Sequence, residues 1–256
     1  MWFAIRSYLS FLARSTNTHG VHSPFVYDLL TKGIKGPLPM ELKKPLISHR
    51  RGLLSDPTQF IMNDLGSGSK VFKGNKRRVN KVARVAGMSK SDQLRLMAMC
   101  RHLKPQSILE LGTSMGLGTA ALCLANPVAK ITSIEGCANT LAMAEKHLAP
   151  LAHPKLNLLN NRFDGFLEQD QSTFELIYLD GDHGAEQTWR YFENLLPKLT
   201  EDGLLLIDDI HWSKGMQNTW NRIVADPRIN VSIDCYSWGM VCIRPGQRKQ
   251  HFNLRM

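Results

Sequence analysis

Residues 108–125 read ILELGTSMGLGTAALCLA. An apolar run closes on an acid, Glu110, and passes into a loop holding Gly112, Gly116 and Gly118. The loop opens a Leu- and Ala-rich segment of helical length and propensity. Strand, glycine turn and helix in that order begin a strand–helix–strand unit, because glycine lets the backbone turn tightly and approach a ligand. One unit later the run KITSI (130–134) leads into Glu135, an acid at a strand tip that can accept hydrogen bonds from a ribose diol.

The spacing from Gly112 is G-x-x-x-G-x-G, which does not fit the G-x-G-x-x-G of a dinucleotide site. An acid directly before the loop suits a cofactor with a cationic amino acid end, which favours S-adenosylmethionine. On this reading Gly112, Thr113, Ser114, Gly116, Gly118, Glu135 and Gly136 bind the cofactor, and Glu110 supports its methionine end. In LLNNRFDGFL (158–167), Phe163 offers an apolar face and Asp164 an acceptor for an adenine.

Outward from this unit, apolar runs recur at 107–111, 130–134, 155–159, 174–179 and 204–208, separated by segments of helical length. The pattern predicts a parallel sheet covered on both faces. Two closely spaced runs, 229–235 and 239–243, predict an antiparallel pair closing one edge. The expected fold is α/β, a doubly wound, mostly parallel, seven-stranded Rossmann-like sheet over residues 105–256. Residues 1–104 form a basic, mainly helical lobe that caps the site and selects the acceptor.

Within that lobe, Trp2, Ile5, Leu9 and Leu12 make one stripe of a helix expected to pack on the rest of the protein. Ser23-Pro24 starts a helix running to about Lys32. Residues 36–60 read as a linker with one short helix. Residues 76–86 predict an amphipathic helix with Lys76, Arg77, Arg78, Lys81 and Arg84 on its outer side, and another helix runs from about Ser91 to Lys104. The charge is uneven: residues 1–104 hold 19 Lys and Arg against 5 Asp and Glu, and the remainder hold 13 against 17. A basic lobe attracts an anionic small molecule or, as the alternative, an RNA backbone. No RNA-binding module signature is present. A non-catalytic protein on the same fold is a third reading, opposed by the intact glycine loop and acids.

Five cysteines without C-x-x-C spacing point to a reducing compartment, the cytoplasm, rather than a disulfide or zinc scaffold. The longest uncharged stretch, 111–129, contains glycines and a proline and does not read as a membrane span. The N-terminus lacks the pattern of a secretory signal. The oligomeric state stays open, with a dimer compatible.

Two runs end in acids at the expected mouth of the sheet: Asp180, Asp182 and His183 after 174–179, and Asp208, Asp209 and His211 after 204–208. Carboxylates grouped there repel unless a cation or donors lie between them, and hard oxygen ligands suit magnesium or calcium. Either histidine has a suitable intrinsic pKa for taking a proton near neutrality. Trp189, Trp212, Trp220 and Trp238 read as core or as an aromatic acceptor pocket.

With these motifs in view, the chain resembles class I S-adenosylmethionine-dependent methyltransferases from about Ser107 to Ile243. LDGDH (179–183) and GLLLIDDIHW (203–212) resemble the catechol O-methyltransferase-like branch and its bacterial small-molecule relatives. HGVHSPFVYDLL (19–30), GSGSKVFKGNKRR (66–78) and DDIHWSKGMQNTW (208–220) extend the likeness to bacterial class I proteins over nearly the whole chain. The resemblance implies methyl transfer to a hydroxyl. It also implies a divalent cation on Asp180, Asp208 and Asp209, with Asp180 reaching the cofactor as well. Asp209 stands where the catechol enzymes carry Asn. His183 falls at the position of their catalytic Lys, and His211 at that of a base in some sugar O-methyltransferases.

Overall fold

The structure is a computed structural model and describes residues 2–63 and 74–256. Residues 66–73 of the GSGSKVFKGNKRR stretch lie outside the described residues.

Among the described residues, eight strands form one sheet. In chain order they are β3 (Ser107–Leu111), β4 (Lys130–Glu135), β5 (Leu156–Asn160), β6 (Phe174–Leu179), β7 (Leu199–Asp208), β8 (Val231–Asp234), β9 (Trp238–Cys242) and β10 (Gln250–Asn253). β1 (Gln59–Ile61) and β2 (Lys76–Arg78) form a separate antiparallel pair. The sheet order is β10-β8-β9-β7-β6-β3-β4-β5. β3 pairs in parallel with β4 on one side and β6 on the other, so the winding direction reverses beside β3. Ligands bind at the carboxyl ends of strands at such a reversal.

The expected hairpin is present, β9 running antiparallel to both β7 and β8. It is not the edge. β10 adds a parallel eighth strand beside β8, where seven strands were expected. Its sequence, QHFN, is short and lacks the β-branched residues that mark a strand.

Helices α6 (Leu117–Ala125), α7 (Ala138–Leu148), α8 (Phe163–Gln169), α9 (Ala185–Leu195) and α10 (Lys214–Ala225) cover the sheet. Strand alternation divides the core between its two faces. Ile108, Leu176, Tyr178, Leu204 and Leu206 join one cluster, while Leu109, Leu111, Ile177, Leu205 and Ile207 join the other with Phe166, Phe192 and Trp220.

The N-terminal part contributes α1 (Trp2–Arg14), α2 (Pro24–Asp28) with a following π-helical turn (Leu29–Ile34), α3 (Met40–Ser55), α4 (Val79–Val85) and α5 (Lys90–Leu103). Val26, Leu29, Leu46 and Leu96 share a cluster with Ile108, Ala120 and Trp238, so one core runs across residue 104.

Three expectations here need correction. Residues 40–55 form a sixteen-residue helix rather than a linker. Leu42, Leu46, His49 and Leu53 supply its inward stripe at helical spacing, with only Leu42 of the four left partly exposed. The basic segment 76–86 is not one helix, because its first three residues pair with β1 before α4 begins. The apolar stripe of α1 points outward: Trp2 is 88% exposed and Leu9 60%, whereas Ser7 and Phe11 are buried.

Candidate active site

A cleft of about 380 Å3 opens at the carboxyl ends of β3, β4 and β6. Of the residues expected to contact the cofactor, Gly112, Ser114, Glu135, Gly136, Phe163, Asp164 and Asp180 line it, as does His183. Gly112 has a φ of +111°, and a Cβ on it would lie 1.8 Å from the Asp180 carbonyl oxygen. The tips of β3 and β6 therefore approach closely only because this residue has no side chain.

Glu135 ends β4 and faces the cleft. Its Oε2 accepts from the Ser114 N–H and its Oε1 from the Cys137 N–H, both at 2.9 Å. The two backbone donors fix the orientation of this carboxylate at the cleft. Phe163 packs edge-on against Tyr191 at 5.5 Å between ring centroids. Asp164 is clamped by Arg190, with Nε to Oδ1 at 3.1 Å and Nη2 to Oδ2 at 2.8 Å.

Glu110 lies elsewhere. Alternation along β3 sends it to the α6 face, where it is 1% exposed and accepts from Thr119 Oγ1 and Ser133 Oγ, each at 2.5 Å. Burial pushes its carboxyl up to about 8; the two hydroxyl bonds oppose that, and Asp180 and Glu135 add to it. Among the described residues its Oε1 has no hydrogen-bond partner, and it lies 2.5 Å from where a Gly118 Cβ would stand. The expected contact between Glu110 and a cofactor's methionine end is therefore not made directly. The acid supports the loop from beneath. Thr113 belongs to the same buried cluster through Ser133 Oγ at 2.6 Å, and Gly116 packs against Leu148.

Tyr178 links the acids of β6 and β7. Its hydroxyl donates to Asp180 Oδ2 at 2.9 Å and lies 3.5 Å from Asp208 Oδ2. Burial raises the Asp208 carboxyl well above the usual range, and Asp180 and Asp209 reinforce the shift. Burial also raises Asp209, against the pull of His183. Asp209 Oδ2 lies 3.6 Å from His183 Nε2. Among the described residues no three His, Cys, Asp or Glu side chains converge as a metal site would require. The three-acid cation site expected on Asp180, Asp208 and Asp209 does not fit this geometry. The raised Asp208 carboxyl and the Tyr178 hydroxyl between the two acids meet the same electrostatic need.

The two histidines separate. His183 stands on the cleft wall next to Asp209, its ring tilted toward Trp212 at 6.3 Å. His211 is buried beneath α1. Its Nε2 meets Asp234 Oδ2 at 2.8 Å, and its Nδ1 lies 3.2 Å from both Ser7 Oγ and Gln217 Nε2. Tyr236 stacks on the ring at 5.0 Å. With both nitrogens engaged and no face on the cleft, His211 is a packing residue, and the expected base role does not fit it. Trp220 and Trp238 are core. Trp189 carries the Arg222 guanidinium over its ring at 3.5 Å.

Sequence reading missed Met62, Asn63, Ala86, Gln187, Arg190 and Tyr191 on the cleft wall. Gln187, Arg190 and Tyr191 lie one turn apart on α9, directly after the acidic LDGDH turn, and that helical spacing was the available signal. Met62 and Asn63 gave none, because only the docking of β1 brings them there.

A protein-family model described as a methyltransferase domain matches residues 109–210. No protein of curated function matches the sequence. Among solved structures, the SAH-bound methyltransferase PaMTH1 of Podospora anserina is 14% identical, with a TM-score of 0.59, 88% of this chain covered and 97% of that one. An O-methyltransferase from Bacillus cereus in complex with SAH is 13% identical, with a TM-score of 0.54 and coverage of 84% and 96%. The O-methyltransferase TomG from Streptomyces achromogenes, in complex with SAM, gives 14%, 0.54, 84% and 95%.

Proposed function

We propose that this chain, a methyltransferase of class I fold, uses S-adenosylmethionine to methylate a hydroxyl of a small molecule. The observation that carries the reading is Glu135, held by two backbone N–H groups at the tip of β4 with Phe163 and Asp164 across the same cleft. The carboxylate is oriented to accept two hydrogen bonds from a ribose diol. Phe163 supplies an apolar face for adenine. Glu135, Asp164, Asp180 and Asp182 give the cleft an acidic lining that suits a cationic ligand.

S-adenosylmethionine supplies an electrophilic methyl group on a positively charged sulfur. The chain has to hold the acceptor oxygen in line with that methyl and take up a proton. Alignment at about 3 Å is the larger part of the work. His183 is the group on the cleft wall suited to accept the hydroxyl proton, and Asp209 stabilises the imidazolium that forms. The new bond is carbon to acceptor oxygen, the bond broken is carbon to sulfur, and the proton ends on His183. Arg162, exposed at the rim, favours an acceptor with negative charge.

Calorimetric titration tests the reading. S-adenosylmethionine and S-adenosylhomocysteine are expected to bind, and Glu135→Ala to weaken both by tens-fold or more, since each charge-assisted hydrogen bond contributes roughly 1.5–3 kcal/mol. Equal affinity in the variant defeats the ribose assignment. Binding of a nicotinamide dinucleotide in place of either ligand defeats the whole reading.

A further inference from the structure

Helix α1 is turned inside out relative to an ordinary surface helix. Its inward side is polar as well as apolar: Ser7 Oγ meets His211 Nδ1, the Ala4 carbonyl accepts from the Tyr236 hydroxyl at 3.0 Å, and Phe11 packs against Tyr236. Its outward side is the apolar stripe. Trp2 is 88% exposed, Leu9 60%, Ile5 52% and Tyr8 46%. A thirteen-residue helix is too short to persist alone, so these contacts with the protein body hold it in place with its hydrophobic side in water.

The charge around the stripe names what covers it. The first 27 residues contain no Asp or Glu, while α1 carries Arg6 and Arg14. Arg255 lies at the helix C-terminus, its guanidinium 3.2 Å from the Ser15 carbonyl. A second copy of the helix would add the same arginines and no acid to pair with them. The stripe also offers only a handful of side chains, against the roughly 20–30 residues a side of a stable interface. An apolar stripe with Trp and Tyr, flanked by arginine and free of acids, matches the interface of a bilayer bearing anionic headgroups.

We infer that α1 seats this protein on anionic membrane surfaces, with Trp2, Ile5 and Leu9 entering the headgroup–acyl boundary and Arg6 and Arg14 meeting lipid phosphate. The helix lies in the surface plane. Among the described residues no helix is long and apolar enough to cross a membrane. The inference does not depend on the proposed reaction.

Flotation of the whole chain with vesicles tests it. Phosphatidylglycerol in phosphatidylcholine is expected to carry the protein upward at low salt, and phosphatidylcholine alone to do so far less. The double variant Trp2→Ser/Leu9→Ser is expected to lower partitioning by about tenfold or more, with an unchanged melting temperature and unchanged S-adenosylmethionine affinity. Arg6→Glu/Arg14→Glu is expected to abolish the preference for anionic vesicles. Three results overturn the inference. One is absence of flotation on anionic vesicles. A second is full retention by the Trp2/Leu9 variant, which would leave general basicity as the cause. The third is a solution dimer that this variant dissociates, which would make a second copy the occupant.

Discussion

Glu110 and Glu135 sit at neighbouring strand tips with opposite surroundings. Glu135 is held by backbone donors in the cleft, whereas Glu110 is buried and its carboxyl is pushed up to about 8 from an ordinary 4.5. A folded pKa above the unfolded one means that the native state keeps a proton the unfolded chain has released. Stability from this group is therefore full below about 4.5 and declines as pH rises toward 8, by at most about 1.4 kcal/mol per pH unit. Thermal melts of Glu110→Gln are expected to show a shallower decline over that window, with the largest gain over the native chain near pH 8. A steeper decline would disprove the assignment. The two histidines give a paired prediction. His183→Gln is expected to lower turnover by about 10²–10⁴-fold and leave the melting temperature unchanged. His211→Ala removes one partner of a buried pair with Asp234, so it is expected to cost about 3 kcal/mol or more in denaturant melts and to leave cofactor affinity within about twofold. The reverse pattern would exchange their roles.

At the scale of elements, the sheet mouth is built by short loops whose conformations only a few residues tolerate. Ser114, Asp182 and Asp209 all have positive φ, each just past a strand end facing the cleft or its rim. The other end of the sheet depends on β10, which covers the free edge of β8 through the register Gln250 to Val231 and Asn253 to Asp234. An uncovered edge strand pairs with other chains. Removing residues 248–256 is thus expected to lower the melting temperature and to produce concentration-dependent aggregation, measurable by light scattering. A monodisperse, equally stable product would show that β10 has no such role. The same deletion removes the isolated bridge between Thr16 and Leu254, and with it part of the seat of α1.

For the molecule as a whole, the N-terminal helices and the sheet do not keep separate cores. Leu29, Leu46 and Met97 pack in one cluster with Ile131, Leu176 and Met240. The Gln93 amide donates to the Leu117 carbonyl at 2.7 Å, and Arg50 Nη1 bonds the Gln93 Oε1 at 3.1 Å, so α3 and α5 are fastened to the start of α6. A shared core unfolds as a unit. Calorimetry is expected to show one transition with matching calorimetric and van't Hoff enthalpies. Residues 105–256 alone are expected to lack a cooperative melt. Two resolved transitions would separate the halves. The basic surplus of residues 1–104 and the acidic lining of the cleft are thus joined through one hydrophobic core.

The sequence by itself determined the wound sheet, because a strand buried on both faces must be apolar throughout and a glycine loop between strand and helix has few other uses. It also determined which strand tips carry acids, since those residues follow directly from where each run stops. What it could not determine was the direction in which those acids point. Glu110 and Glu135 look alike in the chain, and only the alternation of β3 against α6 buries one while the end of β4 exposes the other. His183 and His211 each follow an acidic turn by similar spacing, yet the docking of α1 and Tyr236 closes over one of them. The outward stripe of α1 is the same case. Periodicity fixes which residues share a face, while which face meets the protein depends on hydrogen bonds to residues more than two hundred positions away.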